Sequence, residues 1–340
     1  MRFIVLVTAV LCVSAVSAEQ KISAYLFGDY VYVAKSNDTH YDGKSGFVAR
    51  RIYFTYDNDI AENFSARFRM EMEQKDFAAS SAAKITPYAK DAYLKWNFNN
   101  HALYLGMSPT PTWEVVESFW GYRWLEKTPL DLHNYGSSRD IGLALTGSLD
   151  DGKKVGYYLM AAHGAGTVSE TDKGKKFYAS MVFKPTDKAV FEIYGDFEDS
   201  EGDQPNSASY VLQGFAGFEG DFGRIGLQYA YAASDEDENT NITQNIISGF
   251  FVAKLGDKTK GVVRVDYLTD PNPNAAEISY IPMEPGTKHL MFAVAGVDLQ
   301  IAKGVNIQPN AEVVSYGKEL ATGKNPDAEV IPRLSVYFRF

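Results

Sequence analysis

The stretch VIPRLSVYFRF, Val330 to Phe340, decides how the rest of the chain is read. Val330, Leu334, Val336, Phe338 and Phe340 share one parity, while Arg333, Ser335 and Arg339 take the other. Successive side chains of a strand point to opposite faces, so the segment has one apolar face and one largely polar face up to its last residue. A soluble sheet could carry such a strand, so the question is what the apolar face meets.

The opposite end narrows the answer. Arg2 is followed by the apolar run FIVLVTAVLCVSAV and then by Val16-Ser17-Ala18, a charged start, a short apolar core and a small-residue cleavage pattern. This reads as a secretory signal peptide, residues 1–18, cut after Ala18 and leaving residues 19–340 as one domain. The run is too short for a spanning helix, which needs about 20 apolar residues. The chain's one cysteine, Cys12, lies inside that segment, so the exported part has no disulfide and no thiolate metal site.

The formal net charge is −10, which argues against nucleic acid as a partner, since phosphate binding needs a basic footprint. The 22 Tyr and 21 Phe are spread through a chain that has no long apolar run after residue 18, as alternating strands produce. The clearest case is FSARFRMEME, where Phe64, Ala66, Phe68, Met70 and Met72 alternate with Ser65, Arg67, Arg69, Glu71 and Glu73. About sixteen such segments follow one another, from 22–34 to 329–340. VLQGFAGF and ISGFFVAK show no polar face, and their orientation stays open.

The connections alternate in length. Short turns such as FNNH, KPTDK, EGDF and AKG separate longer polar loops near 35–45, 76–86, 108–138, 164–174, 199–207, 234–242, 270–288 and 317–328. This rhythm predicts an all-β transmembrane up-and-down antiparallel β-barrel of about sixteen strands, in an outer membrane of Gram-negative type. An open sheet edge would leave backbone groups unpaired in lipid, so the last strand is expected beside the strand at 22–34. A soluble β-sandwich is the alternative.

SVYFRF resembles the aromatic-terminated signal of outer-membrane barrels. LYLGMSPTPTWE (103–114) and RDIGLALTGSLDDGKKVGYYLMAAHG (139–164) are similar to the porin O/P type, the family that includes phosphate-selective porins. The resemblance implies a trimeric, sixteen-stranded, water-filled channel with its third long loop folded inward as a constriction. It also implies that Phe338 and Phe340 form the handle read by the barrel-assembly machinery.

The longest loop, 108–138, holds Trp113, Trp120 and Trp124, three of the four tryptophans. TWEVVESFWGYRWLEK reads as a short helix after Pro111, with Val115, Phe119, Tyr122 and Trp120 available to pack on the barrel wall and Glu114 and Glu117 left toward the lumen. Plain loop packing accounts for the same aromatics.

A pore needs a width and a field rather than a catalytic group. Arg51, Arg67, Arg69 and Lys95 fall on the expected lumen face of successive strands, a basic wall. Glu114, Glu117 and Asp131 could oppose them from the constriction loop, which also carries Arg123. The bland alternative is that these are solvated charges balancing neighbouring strands. Phosphate selectivity is weakened because Arg123 and Lys127 are the loop's basic residues before Arg139, and because Asp57, Asp91, Glu192, Asp196, Asp266, Asp298 and Glu312 are also expected in the lumen. A nonselective or weakly cation-preferring diffusion channel for small hydrophilic solutes fits better, with no cofactor.

A barrel-embedded hydrolase is the rival class. His40, His101, His133, His163 and His289 sit in no recognisable nucleophile motif. In SDEDENTN, Asp235, Asp237 and Asn239 alternate as calcium ligands do, but Thr240 stands where the turn glycine belongs. A solvated acidic tip, or a divalent bridge to lipopolysaccharide, covers that stretch; membrane lipid is the remaining expected partner.

Overall fold

The computed structural model describes residues 19–74, 77, 85–171, 173–199, 208–237, 240–269, 277–278, 281–284 and 286–340. The expected signal segment lies outside them. The first half of the chain forms β1 (Gln20–Tyr32), β2 (Ser45–Ala61), β3 (Phe64–Glu73), β4 (Thr86–Phe98) and β5 (His101–Pro109). Two short helices follow, α1 (Glu114–Trp120) and α2 (Pro129–Leu132), and then β6 (Arg139–Ser148), β7 (Val155–Ala162), β8 (Lys175–Thr186) and β9 (Ala189–Asp199). The second half adds β10 (Ala208–Gly220), β11 (Gly223–Asp237), β12 (Thr240–Lys254) and β13 (Thr259–Thr269). A two-residue pair, β14 (Glu277–Ile278) and β15 (Ile281–Pro282), precedes β16 (His289–Ala302), β17 (Val305–Tyr316) and β18 (Glu329–Arg339).

All but β14 and β15 close into one sixteen-stranded antiparallel barrel, each strand beside its sequence neighbours. Closure is made by the two ends: β18 pairs with β1 from Arg339 opposite Tyr25 to Arg333 opposite Val31. The alternation read in the sequence is the alternation of the wall. Phe54, Phe68, Leu94, Leu143, Leu227 and Leu334 are exposed on the outside, while Thr55, Glu71, Asp91, Ser335 and Arg333 are buried on the inside. Polar groups that would cost several kcal/mol in hydrocarbon are thereby kept off the outer face.

Among the register shifts of the ladder, two lie within the strands that carry the interior charges. Phe27 pairs with Arg51 but Asp29 pairs with Val48, so Ala49 and Arg50 together face Gly28. A Cβ at Gly28 would lie 2.3 Å from the Val48 carbonyl oxygen, and the bulge therefore needs glycine there. Its effect is to turn both Arg50 and Arg51 inward. A second bulge sits where Arg69 pairs with Asp91 and Met70 with Ala89, which turns Lys90 and Asp91 inward together.

The expected long loop at 234–242 is corrected. β11 runs to Asp237 and β12 begins at Thr240, with Asp235 opposite Asn241, so the hairpin projects as paired strand. Asp235 and Asp237 are thus strand residues and Asn239 lies outside the described residues; among the described residues no group of three or more His, Cys, Asp or Glu could hold a metal ion.

Candidate functional site

The segment between β5 and β6 organises the interior. α1 ends at Gly121, whose φ of 66° permits the left-handed cap in which its N–H donates to the Glu117 carbonyl at 2.8 Å. α2 starts on Pro129, where a missing N–H costs nothing. Trp113, Val116, Trp120, Tyr122, Trp124, Leu125, Leu130 and Leu132 are buried in one cluster with inward residues of the wall.

This packing explains the strands whose orientation stayed open. Phe119 meets the Phe215 ring edge-on at 5.7 Å, and Trp120 meets Phe250 edge-on at 4.9 Å. The inner faces of β10 and β12 carry Phe215, Phe250 and Val252 where the segment rests, between polar residues such as Gln213 and Ser248, so the alternation of apolar and polar faces is blurred.

Hydrogen bonds tie the same segment to strands all around the wall. Tyr194 of β9 donates to Thr112 at 3.0 Å and Arg224 of β11 to the Trp120 carbonyl at 2.8 Å, while Tyr158 of β7 donates to the carbonyl of Pro109, the last residue of β5, at 2.5 Å. Arg264 of β13 donates to the Lys127 carbonyl at 2.6 Å, and Tyr122 donates to Asp298 of β16 at 2.9 Å. Arg50 of β2 and Arg333 of β18 both donate to the Leu125 carbonyl.

The four predicted wall residues all face inward, but they form a ladder rather than a ring. Arg51 lies opposite Glu73, Arg69 opposite Thr55, Arg67 opposite Asp57 and Lys95 opposite Ser65. The Arg69, Arg67 and Lys95 rows follow at two-residue steps along the strand, about 6.8 Å each, while the Tyr53–Glu71 row separates the Arg51 row from the Arg69 row. Nor is the wall basic. Arg51 pairs with Glu71 at 2.8 Å and with Glu73, Lys90 with Glu71 at 2.9 Å, and Arg67 with Asp57 at 2.6 Å. Arg69 and Arg139 share Asp91. Lys95 sits over the Tyr104 ring at 5.5 Å from its centre. Arg51, Arg67 and Arg69 each take a carboxylate from an adjacent strand, and Arg139 of β6 reaches Asp91 of β4, as a guanidinium taken out of water requires a partner.

The loop is likewise mostly self-neutralised. Arg123 bridges Glu117 at 3.2 Å and Asp131 at 3.3 Å, and Glu126 lies 3.6 Å from Arg333. Glu114, on the first turn of α1, is exposed toward the lumen and has no ion-pair or hydrogen-bond partner among the described residues. Desolvation in the crowded interior raises the Glu114 carboxyl above the ordinary range despite Arg139, and raises Glu117 despite Arg123. Desolvation also lowers the Lys127 ammonium. Val115, Phe119 and Trp120 of α1 pack against the wall, as does Tyr122, which lies past the helix end at Gly121.

Beneath α1, toward the short turns, opens a cavity of about 780 Å³ bounded by β4 to β9. Of the histidines, His133 is buried at the end of α2 with Nε2 3.8 Å from Asp266, and His163 lies 3.3 Å from Asp140. His101 meets the Tyr157 hydroxyl at 2.9 Å, and His289 stacks on Tyr267. Arg50, Lys90 and Arg139 are among the interior charges that sequence reasoning missed, with Asp29, Asp140 and Lys176. The glycine at 28 opposite a paired Arg50-Arg51 was the available signal for the first.

No protein-family model matches the chain, and comparison by sequence with curated proteins finds no match. Solved structures do match. Outer-membrane expressed OmpT of Vibrio cholerae superposes with a TM-score of 0.67 at 11% identity, covering 95% of this chain and 98% of that one. The anion-selective porin of Comamonas acidovorans gives 0.67 at 11% identity, covering 95% and 100%. The outer-membrane channel DcaP of Acinetobacter baumannii gives 0.64 at 11% identity, covering 95% and 97%. At these identities the likeness is one of fold: the chain has the sixteen-stranded barrel of outer-membrane porins.

Proposed function

We propose that the mature chain is an outer-membrane porin that admits small hydrophilic solutes and ions by passive diffusion and carries no catalytic activity. The observation that carries this reading is the division of the barrel: an apolar outer surface, and an interior lined by ion-paired charges and crossed by the 110–138 segment. Such a segment narrows the lumen, and its polar side sets the local field.

The channel is nonselective or weakly cation-preferring. Most interior guanidinium groups are spent on carboxylates, whereas Glu114 is not spent on a base. An anion trap would need the reverse, so a phosphate-selective pore is the less supported relative. By the same resemblance we place the short turns in the periplasm, the longer loops among lipopolysaccharide, and three copies in the assembly, each inserted through the Phe338 and Phe340 strand. Residues 1–18 serve as the removed export signal.

Purified protein in a planar bilayer under a KCl gradient tests the reading. Stepwise conductance with a small reversal potential of cation sign is expected. A silent bilayer would reject the channel, and a strong anion-signed potential would reject the selectivity.

A further inference from the structure

Every interior acid of the constricting segment but one is matched to a base. Glu117 and Asp131 hold Arg123, and Glu126 lies beside Arg333. Glu114 instead projects into the open cavity beneath α1. A second carboxylate, Glu192 of β9, lines the same cavity and is 2% exposed. Its oxygens accept from Ser180 at 2.7 Å and Gln213 at 3.1 Å, both neutral donors, so its charge is solvated without being cancelled. Both side chains line the one cavity, and Glu192 feels the Glu114 charge across it.

Two like charges facing a shared space favour a cation between them. The surroundings suit one with an apolar body. Tyr158 and Phe119 supply aromatic surface beside Glu114, and at the edge of this region the Lys95 ammonium already rests over the Tyr104 ring, 5.5 Å from its centre. An ammonium over an aromatic face gains about 0.5 to 2 kcal/mol. The cavity's basic members lie elsewhere. Lys153, Lys154, Lys184 and Lys188 are on or next to the turns at the rim, together with Asp187 and Glu219, and the Arg224 guanidinium is taken by the Trp120 carbonyl and the Tyr122 ring. Charges at an exposed rim are screened over about 8 Å at physiological salt. The volume, about 780 Å³, lies in the range of pockets that enclose a small organic molecule.

We propose that this cavity is a transit binding site for small organic ammonium ions carrying an aromatic or aliphatic body, with Glu114 and Glu192 as the cation-binding carboxylates and Tyr158 and Phe119 as the apolar walls. The proposal rests on the channel reading and names the solute class that such a channel retains.

Phenethylammonium chloride is the probe, added to the short-turn side of single channels carrying KCl current, with neutral 2-phenylethanol at equal concentration as the comparison. The expected result is a concentration-dependent block by the ammonium and none by the alcohol. In Glu114→Gln the half-blocking concentration should rise about tenfold, and further in Glu114→Gln with Glu192→Gln. Block of equal strength by the alcohol, block unchanged in the double variant, or no block of a wild-type channel that conducts KCl normally would each overturn the site. Absence of KCl current in the wild type would instead overturn the channel reading itself. Should the double variant not assemble, Phe119→Ala and Glu114→Gln assayed singly keep the question decidable: neither weakening the block would also overturn the site.

Discussion

Arg50 and Arg333 donate to the same carbonyl oxygen, that of Leu125, at 2.7 and 3.1 Å. Arg50 is held by a bidentate pair with Asp29, and Arg333 by Glu312 at 2.7 Å and by Asn310 at 2.9 Å. Ser335 donates to Asp29 and Asn310 donates to Ser335, so the group spans the junction of β1 with β18. The segment between β5 and β6 is thus anchored where the barrel closes. Closing the seam and docking the segment stabilise one another.

Arg333→Met should therefore loosen the segment and the seam together. Removing one member of a buried ion pair costs about 3 to 5 kcal/mol because the partner carboxylate is left without its counter-charge. Single-channel recordings should show larger and noisier conductance steps, and the midpoint of heat-induced unfolding in detergent should fall. Arg50→Met should act in the same direction, and the double variant should cost less than the two singles added, since they share an acceptor. Strict additivity would show the two contacts to be independent.

Trp120→Ala tests docking without touching the seam. Trp120 is buried between Phe250 and the Arg264 guanidinium, and its Nε1 donates to the Glu126 carbonyl at 3.0 Å. Truncating such a side chain costs about 3 to 5 kcal/mol. The cost falls on the segment, because the β-ladders do not involve Trp120. Conductance should rise while the unfolding midpoint of the barrel stays near the wild-type value. A normal conductance would mean that the remaining wall contacts suffice.

Lowering pH should reduce cation preference earlier than ordinary carboxylates allow. Desolvation raises the Glu114 and Glu117 carboxyls, so on descending from neutrality they take up protons before a free glutamate, near 4.3, does. The arginines stay charged throughout. A raised carboxyl pKa in the folded protein also means that the folded state binds more protons, so this contribution favours the docked segment at low pH and is lost as pH rises through the raised value. The reversal potential should therefore drift toward zero and then anion sign without a conductance increase, and Glu114→Gln should flatten the drift. A profile identical in wild type and variant would locate the titrating groups elsewhere.

How far the sequence carries is clear from particular residues. β3 could be read because its inner face meets the charged part of the lumen, so Arg67, Arg69, Glu71 and Glu73 contrast with Phe64 and Phe68 outside. β10 and β12 could not, because the residues inside them, such as Phe215 and Phe250, pack on the segment between β5 and β6 and resemble the lipid face. Arg51 was found but Arg50 was not, since period two assigns adjacent residues to opposite faces and only a bulge relaxes it. The carboxylates were found, but their pairing was not. Which oxygen meets which guanidinium depends on cross-strand register, and register is a property of two segments rather than one.

Gly28→Val should show that the first bulge is needed for the interior arrangement. The new Cβ would press on the Val48 carbonyl, which is backbone and cannot swing aside. Either β1 and β2 shift register, which would send Arg50 to the lipid face, or the pair fails to form. Reduced yield of heat-resistant folded barrel is expected. A folded Gly28→Val protein with wild-type conductance would mean that the bulge is accommodated elsewhere.

Deleting Phe340 separates assembly from conduction. Phe340 is 81% exposed on the outer face, and its backbone N–H and carbonyl exchange hydrogen bonds with Ala24 at 3.0 and 3.1 Å. Its ring contributes little to the folded barrel, so loss should lower stability by no more than the two terminal hydrogen bonds, about 1 to 3 kcal/mol. If the aromatic end is what the assembly machinery reads, the amount of barrel inserted in cells should fall severalfold. Protein folded in vitro into detergent should then conduct as the wild type does. An equal loss in both settings would assign Phe340 a role in the barrel itself.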